Sequence, residues 1–586
     1  MMQQIRFLFF LILMSILSTG FGCLGDAAAD RVIHLRADAE SEELGLESGS
    51  RVNLAPKDRQ ALLMIVDGVL DSNGNHSIEL DYVIDADVFV SRNGGEGDPH
   101  WITRAKVLNE QGEELWTQRV NSLFQLIEFL NLILEQQSDI NLGPEQVYSL
   151  VKPRFPELLQ FALKVPTGIE DGTTYVLELS QEDGSWLELG SYEIADLIAL
   201  AEPPSVDAEL ARLVESGPAE DRINVAIIGD GYNIQQRHVF EGDAQAVADR
   251  FLATSPMTEH ADLFNITSIW TPSQEAGAGY DCNHGAAPAG CEQRFRDTVY
   301  ETAFVIPAII DELNIPLGEV SDRVAMPRNL AKVFETASLA SYDEIILISN
   351  SAKRSGFAGL YVALVTSFDA RISFPDVAVH EVGHTLGLLG DEYMVAGDAC
   401  YYNEPYVPLP ANIGELVDGQ IKWSDWLEED TPLPTPDSMA DDHLVGAYQG
   451  AYNCSDLVRP SHRCMMKRSG DDFCPICAEQ MVRRFYSFVD PSPHQEFVGL
   501  RLAQNEIRLR APVRDSDRYE VQWTVNGVPT FEGSSYRLNA GDLPEIPNSE
   551  WVSVEATVRN SSGIMRTRDD SVENYFRMEI KLEDRE

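Results

Sequence analysis

Positive charge is scarce in this chain: 44 Lys and Arg stand against 94 Asp and Glu, a formal charge of −50 over 586 residues. A surface of that sign repels phosphate backbones and anionic headgroups, so nucleic acid and acidic membranes are excluded as partners recruited by charge. Long apolar runs are lacking too. The stretch from Phe7 to Leu17 has 11 residues, too short to cross a bilayer as a helix, and no later segment is longer and comparably apolar. Internal repeats and low-complexity tracts are absent. The imbalance of charge fits a highly soluble protein with a solvated acidic surface.

Core material, in contrast, is ample. Apolar residues make up 44% of the chain, with 24 Phe, 19 Tyr and 8 Trp, and its length calls for two to four domains. Arg6, the apolar run after it and the small residues Ser18-Thr19-Gly20 describe an export signal ending near Cys23. Cys23 stands where a bacterial lipoprotein signal would be cleaved and acylated, although Gly20 occupies the place usually held by Leu. Lipidation of Cys23 and simple cleavage both remain open. The expected location is outside the cytoplasm: secreted, periplasmic or lipid-anchored to the bacterial envelope. Seven cysteines follow Cys23, an odd number, so at least one stays out of intrachain pairing. Cys282 and Cys291 flank a small loop and form the simplest pair. Cys474-Pro-Ile-Cys477 has the spacing of a redox motif or of half a zinc knuckle. Without a second such pair or a thioredoxin-like context, a structural role is expected.

The chain reads as multidomain α+β. After the signal (1–23), a β-rich domain spans 24–210, with helical spacing from Leu123 to Leu134 and a hairpin formed by Tyr175–Leu179 and Trp186–Leu189. A region at 211–487 alternates strands and helices. Its continuous apolar runs Asn224–Ile228 and Glu344–Ile348 suit strands covered on both faces, and helical patterns lie near 238–254 and 295–313. The last segment, 488–586, has two-residue alternation in Tyr519–Val525 and Val552–Val558 and reads as a small β-sandwich.

The chemistry concentrates in Phe374-Pro-Asp-Val-Ala-Val-His380-Glu381-Val-Gly-His384-Thr-Leu-Gly387-Leu-Leu-Gly390-Asp391-Glu392-Tyr393. Ser373 and Asp376 stand at capping-box spacing and Pro375 suits a first turn, so a helix should begin here. His380 and His384, at i and i+4, then share one face and can grip one ion, while Glu381 is placed to take a proton from water beside it. Gly387 stands where the chain would turn out of the helix. A zinc site needs a third protein ligand. Gly390 has no side chain to offer, so Asp391 is the first choice and Glu392 the alternative.

These residues resemble the metal motif of the IgA-peptidase family of bacterial zinc metallopeptidases. Ile227-Ile-Gly-Asp-Gly-Tyr232 is similar to the start of that family's catalytic domain, and Cys464-Met465-Met466 with Phe473-Cys474-Pro-Ile-Cys477 to its methionine turn and Cys-Pro-x-Cys segment. The resemblance implies a metzincin-like catalytic domain flanked by a β-rich N-terminal domain and an Ig-like C-terminal domain. It also implies His380, His384 and Asp391 as Zn²⁺ ligands, Glu381 as catalytic acid/base, and Met465 or Met466 beneath the metal. The family's name does not fix the substrate, and nothing here reads as an antibody-binding feature. Protein or peptide substrates are expected. Gly356-Phe-Ala-Gly359 reads as an edge strand to which a peptide could add. His443 and His462 lie in the loop region beyond the motif and fit surface roles. The contrasting reading is a catalytically silent binding or adhesion protein on a peptidase scaffold. Retention of Glu381 between the two histidines weighs against it.

Overall fold

The computed structural model describes most of residues 31–584; the longest stretches it leaves out are 38–58, 91–102, 121–143, 282–293, 305–323, 401–408 and 540–550. Cys23, the pattern at 123–134, Cys282, Cys291 and His443 therefore lie outside the described residues. No described helix is long and apolar enough to cross a membrane.

Two compact units are present, one drawn from 45–493 with 560–573 and the other from 1–44, 494–559 and 574–586. In the larger unit the chain first builds two antiparallel sheets. One has the order His76–Phe89, Gln60–Leu70, Gln160–Pro166 and the other Glu114–Val120, Thr103–Leu108, Thr174–Ser180, Trp186–Glu193. The expected hairpin is there, with Leu179 opposite Leu187. A single buried core runs from Leu63 and Met64 in these sheets to Ile345 and Leu347 further along the chain.

The later part of this unit is a six-stranded sheet built from β1 (Glu209–Val214), β2 (Ile223–Asp230), β3 (Phe264–Trp270), β4 (Glu344–Ser349), β5 (Gly356–Gly359) and β6 (Val362–Thr366). Their order is β5-β6-β4-β2-β3-β1. The four central strands are parallel, whereas β5 and β1 close the two edges antiparallel. Every residue of β2, β4 and β6 is buried, as their unbroken apolar runs require. Helices α1 (Arg237–Leu252), α2 (Leu330–Ala337), α3 (Phe374–Thr385) and α4 (Pro475–Phe488) complete this part. Helix α1 lies where periodicity placed it.

The helical pattern at 295–313 fails over its described portion: 295–302 is irregular and Ala303–Phe304 is strand. The cause is Asp230, wholly buried at the end of β2. Its carboxylate accepts from Tyr300 N (3.1 Å), Thr302 N (2.8 Å) and Thr298 Oγ1 (2.9 Å). Amides committed to a carboxylate cannot make helical bonds, so tertiary contact overrides local periodicity here.

Among its described residues the second unit is all β. A five-stranded sheet runs in the order Arg31–Ala37, Asn574–Asp584, Trp551–Asn560, Tyr519–Val525, Val528–Glu532, beside a three-stranded sheet of Val498–Ala503, Glu506–Arg510 and Ser535–Asn539. Tyr519, Val521, Trp523 and Val525 are all buried, in keeping with their alternation. Asn526 and Gly527 take φ of 49° and 75°, the paired left-handed conformations of a tight hairpin turn. Strand Arg31–Ala37 pairs with the last strand, Arg31 opposite Asp584, so the first described residues complete the C-terminal sheet.

Candidate active site

Helix α3 carries the motif. Pro375 sits in its first turn and Ser373 is its N-cap. The capping box takes a different form from the one its spacing suggests. The Ser373 hydroxyl donates to the Asp376 carboxylate at 2.6 Å, and that carboxylate pairs with Arg250 of α1, also at 2.6 Å. Asp376 thereby fastens α3 to α1. Burial would raise its pKa, but the Ser373 and Arg250 contacts outweigh this and hold it below the usual carboxylate range. At the other end, the Thr385 hydroxyl donates to Glu344 of β4. Glu344 is fully enclosed, and burial pushes its carboxyl well above the ordinary range.

Within this mounting the two imidazoles converge. Each Nδ1 faces a backbone carbonyl: His380 reaches Met465 O at 2.8 Å and His384 reaches Leu389 O at 2.7 Å. A carbonyl can only accept, so each Nδ1 carries the proton and a neutral ring keeps its lone pair on Nε2. Both Nε2 atoms lie 3.2 Å from one oxygen, Oδ1 of Asp391. Three acceptors meeting at one point repel unless a cation or protons lie among them, and this donor set fits a divalent metal such as zinc. The electrostatics say the same. Burial lowers the His384 pKa, yet the Asp391 carboxylate outweighs it and draws the ring up to about 9. His380 is also raised, and Asp391 is held far below the normal carboxylate range against the opposing effect of burial. The pocket asks for positive charge.

Glu381 lies beside the imidazoles and is 7% exposed. Burial raises its pKa, with the two histidines opposing in part. Its neighbour across the cleft is Gly356, in edge strand β5. A Cβ built there would stand 2.3 Å from Glu381 Oε1, so the glycine makes room for the carboxylate.

The turn after α3 completes the site; Gly387 lies in it, as expected, and the left-handed residue is the next one. Leu388 takes the left-handed conformation (φ 56°), while the Leu389 amide bonds back to Gly383 O. Packing also requires a glycine at 387: a Cβ there would lie 2.6 Å from Gly383 O and 2.4 Å from Met481 Sδ. Asn412, wholly buried, then clamps the extended segment. It accepts from Gly390 N (2.8 Å) and donates to Gly390 O (2.8 Å) and Glu392 Oε1 (2.9 Å). Successive residues of an extended chain face opposite ways. Asp391 therefore turns to the histidines, and Glu392 turns away to Cys464, Cys474 and Cys477.

Met465 and Met466 are both fully buried. Met465 contributes the carbonyl that orients His380, whereas the Met466 carbonyl accepts from Glu392 N at 2.9 Å. Any Cβ at Gly383 would meet Met466 Sδ at 2.5 Å, so this methionine packs directly against the motif helix. His462 lies outside the cluster, 3.9 Å from Asp437 and half exposed. The positioning roles of Asp230 and Asn412 are not evident from the sequence, and Gly356, expected as part of an edge strand, has the further role of making room for Glu381. Of the first two, Asp230 carried a signal as part of the Ile227–Tyr232 stretch.

A mostly parallel sheet with an HExxH helix packed against it, and histidine nitrogens converging on a following carboxylate, is an arrangement that metal-dependent peptidases use. The family is more specific. Residues 211–289 and 318–444 match the family model described as IgA Peptidase M64, and that match supports a peptidase. The matched residues include His380, Glu381, His384 and Asp391 and end before Met465. No curated protein matches the chain.

Proposed function

We propose that the chain is an exported zinc-dependent metalloendopeptidase in which His380, His384 and Asp391 hold the ion and Glu381 is the general acid and base. The observation that carries this reading is the approach of two imidazole Nε2 atoms to one carboxylate oxygen, 3.2 Å each, with a second carboxylate on the same helix. Zinc held by these residues would polarise the scissile carbonyl and bring the pKa of water to about 7. Glu381, its carboxyl raised by burial, takes the proton of the attacking water and returns it to the departing amine. Strand β5 supports the choice of substrate. It forms the edge of the sheet, pairs only with β6 among the described residues, and presents Gly356 against Glu381. An extended peptide adding to that edge would run past the general base. In this reading the catalytic domain is metzincin-like, with an Ig-like C-terminal sandwich and delivery by the N-terminal signal.

The test is Glu381→Gln. Purified wild-type protein should contain zinc and cleave casein, and a chelator should stop it. The variant should keep the metal and lose turnover by at least ~10². Retained turnover removes Glu381 from its role. Zinc-free wild-type protein that cleaves nothing in a peptide library would favour a silent scaffold instead.

A further inference from the structure

Behind the histidine cluster lies a second group of ligating side chains that the reaction does not use. Cys464, Cys474, Cys477 and Glu392 are all buried, and their ligand atoms lie within 4.8 Å of one another. Cys474 is the N-cap of α4 and Cys477 is in its first turn, so the Cys-Pro-Ile-Cys spacing puts both sulfurs at one helix end. Cys464 opens the turn that contains Met465. We infer that these four side chains form a structural site for a thiophilic divalent metal of the zinc class, distinct from the His380–His384–Asp391 site.

Three observations carry this. The first is spacing. Tetrahedral zinc with sulfur at about 2.3 Å and oxygen at about 2.1 Å puts its sulfurs about 3.8 Å apart and sulfur about 3.6 Å from oxygen. Cys464 and Cys477 Sγ are 3.6 Å apart, and Glu392 Oε1 lies 3.2 Å from Cys477 Sγ and 3.9 Å from Cys474 Sγ. Next is the carboxylate. Glu392 is completely buried, its Oε1 is engaged by Asn412 and the thiols, and Oε2 has no hydrogen-bond partner. A carboxylate left with an unmatched oxygen among three sulfurs calls for a cation. Last comes pairing. Cys400 and Cys454 form a disulfide, whereas Cys464, Cys474 and Cys477 are all free, and three thiols cannot pair completely. Three thiolates, one carboxylate and a divalent ion carry the same formal charge as a four-thiolate zinc site.

The site has a mechanical purpose. Each of two ligands is the immediate chain neighbour of a catalytic-site element: Glu392 follows Asp391, and Cys464 precedes Met465, whose carbonyl orients His380. An ion tying 392, 464, 474 and 477 together would fix the floor on which the histidines stand.

The experiment is metal counting on the full-length protein and on the double variant His380→Ala/His384→Ala. The expected result is about two metals per chain in the wild type and one in the variant. After cobalt loading, the variant should show the strong near-ultraviolet band of sulfur-to-cobalt charge transfer, and a mercurial thiol reagent should release its ion. Adding Cys474→Ser should remove that remaining metal. Should this last variant not fold, the cobalt spectrum of the histidine variant decides alone. A histidine variant without metal or sulfur band overturns the inference. So does a disulfide between any two of the three cysteines, detected by mass spectrometry of unreduced protein.

Discussion

Gly356→Ala isolates the placement of the general base from everything else in the site. Gly356 does not have a positive φ, so alanine is acceptable to the backbone of β5. Its methyl, however, would stand 2.3 Å from Glu381 Oε1 and 2.6 Å from Val377 Cγ1. Ordinary contact begins near 3.4 Å, so the carboxylate oxygen must withdraw by about 1 Å, a misplacement that can cost 10²-fold in rate. That corresponds to about 2.7 kcal/mol in the barrier. The Val377 contact adds a packing cost of about 1–2 kcal/mol in stability. No metal donor is touched. The assay is kcat on a fluorogenic casein peptide alongside zinc content and the thermal midpoint. Expected is a fall in kcat of ~10² with zinc unchanged and a shift of only a few degrees. Wild-type kcat would refute the view that this glycine fixes the base. Loss of zinc together with activity would refute it equally, because the methyl would then be acting on the metal ligands.

Further predictions concern the ion and its support. Asp391→Ala should lower metal occupancy sharply in equilibrium dialysis; unchanged occupancy at the histidine site would remove Asp391 from the ligand set. Zinc binding to metal-free protein at pH 7 should release at least one proton, because His384, with its pKa near 9, holds one that the metal displaces; calorimetry in buffers of different ionisation enthalpy measures it. The sign for stability follows. In the metal-free chain the His384 contribution is complete below pH 6.5 and is lost as pH rises through about 9, whereas metal affinity rises over the same range. Asp230→Ala should lose about 2–4 kcal/mol of unfolding free energy by orphaning the Tyr300 and Thr302 amides and the Thr298 hydroxyl, with the midpoint of urea unfolding as the measure.

The motif helix and the parallel strands were legible because both rest on local patterns: a histidine pair one turn apart, and runs of β-branched residues bounded by turns. The choice between Asp391 and Glu392 was not, since it depends on chain direction after the helix. That direction is set by Leu388 turning left-handed and by Asn412, 20 residues beyond Glu392, holding the segment straight. Gly387 lies in the turn that the sequence marks, but the packing that requires glycine there involves Met481, distant in sequence, as well as Gly383 O. The grouping of Glu392 with Cys464, Cys474 and Cys477 was equally hidden, because the sulfurs lie 72 to 85 positions from the carboxylate. The misjudged helix near 295 has the same origin, a single buried acid outbidding local periodicity. In two C-terminal strands, Tyr519–Val525 and Trp551–Asn560, alternation alone marks the inward residues; the other strands of that unit carry no such signal in the sequence.

The opposed directions of Asp391 and Glu392 make the segment from Gly387 to Glu392 a ruler. Removing or inserting one residue there would swap which acid looks forward, presenting the longer side chain to the imidazoles and the shorter one to the sulfurs. Loop exchanges across this stretch should therefore conserve its length before its composition. A deletion of two residues, which restores the facing, should be better tolerated than a deletion of one.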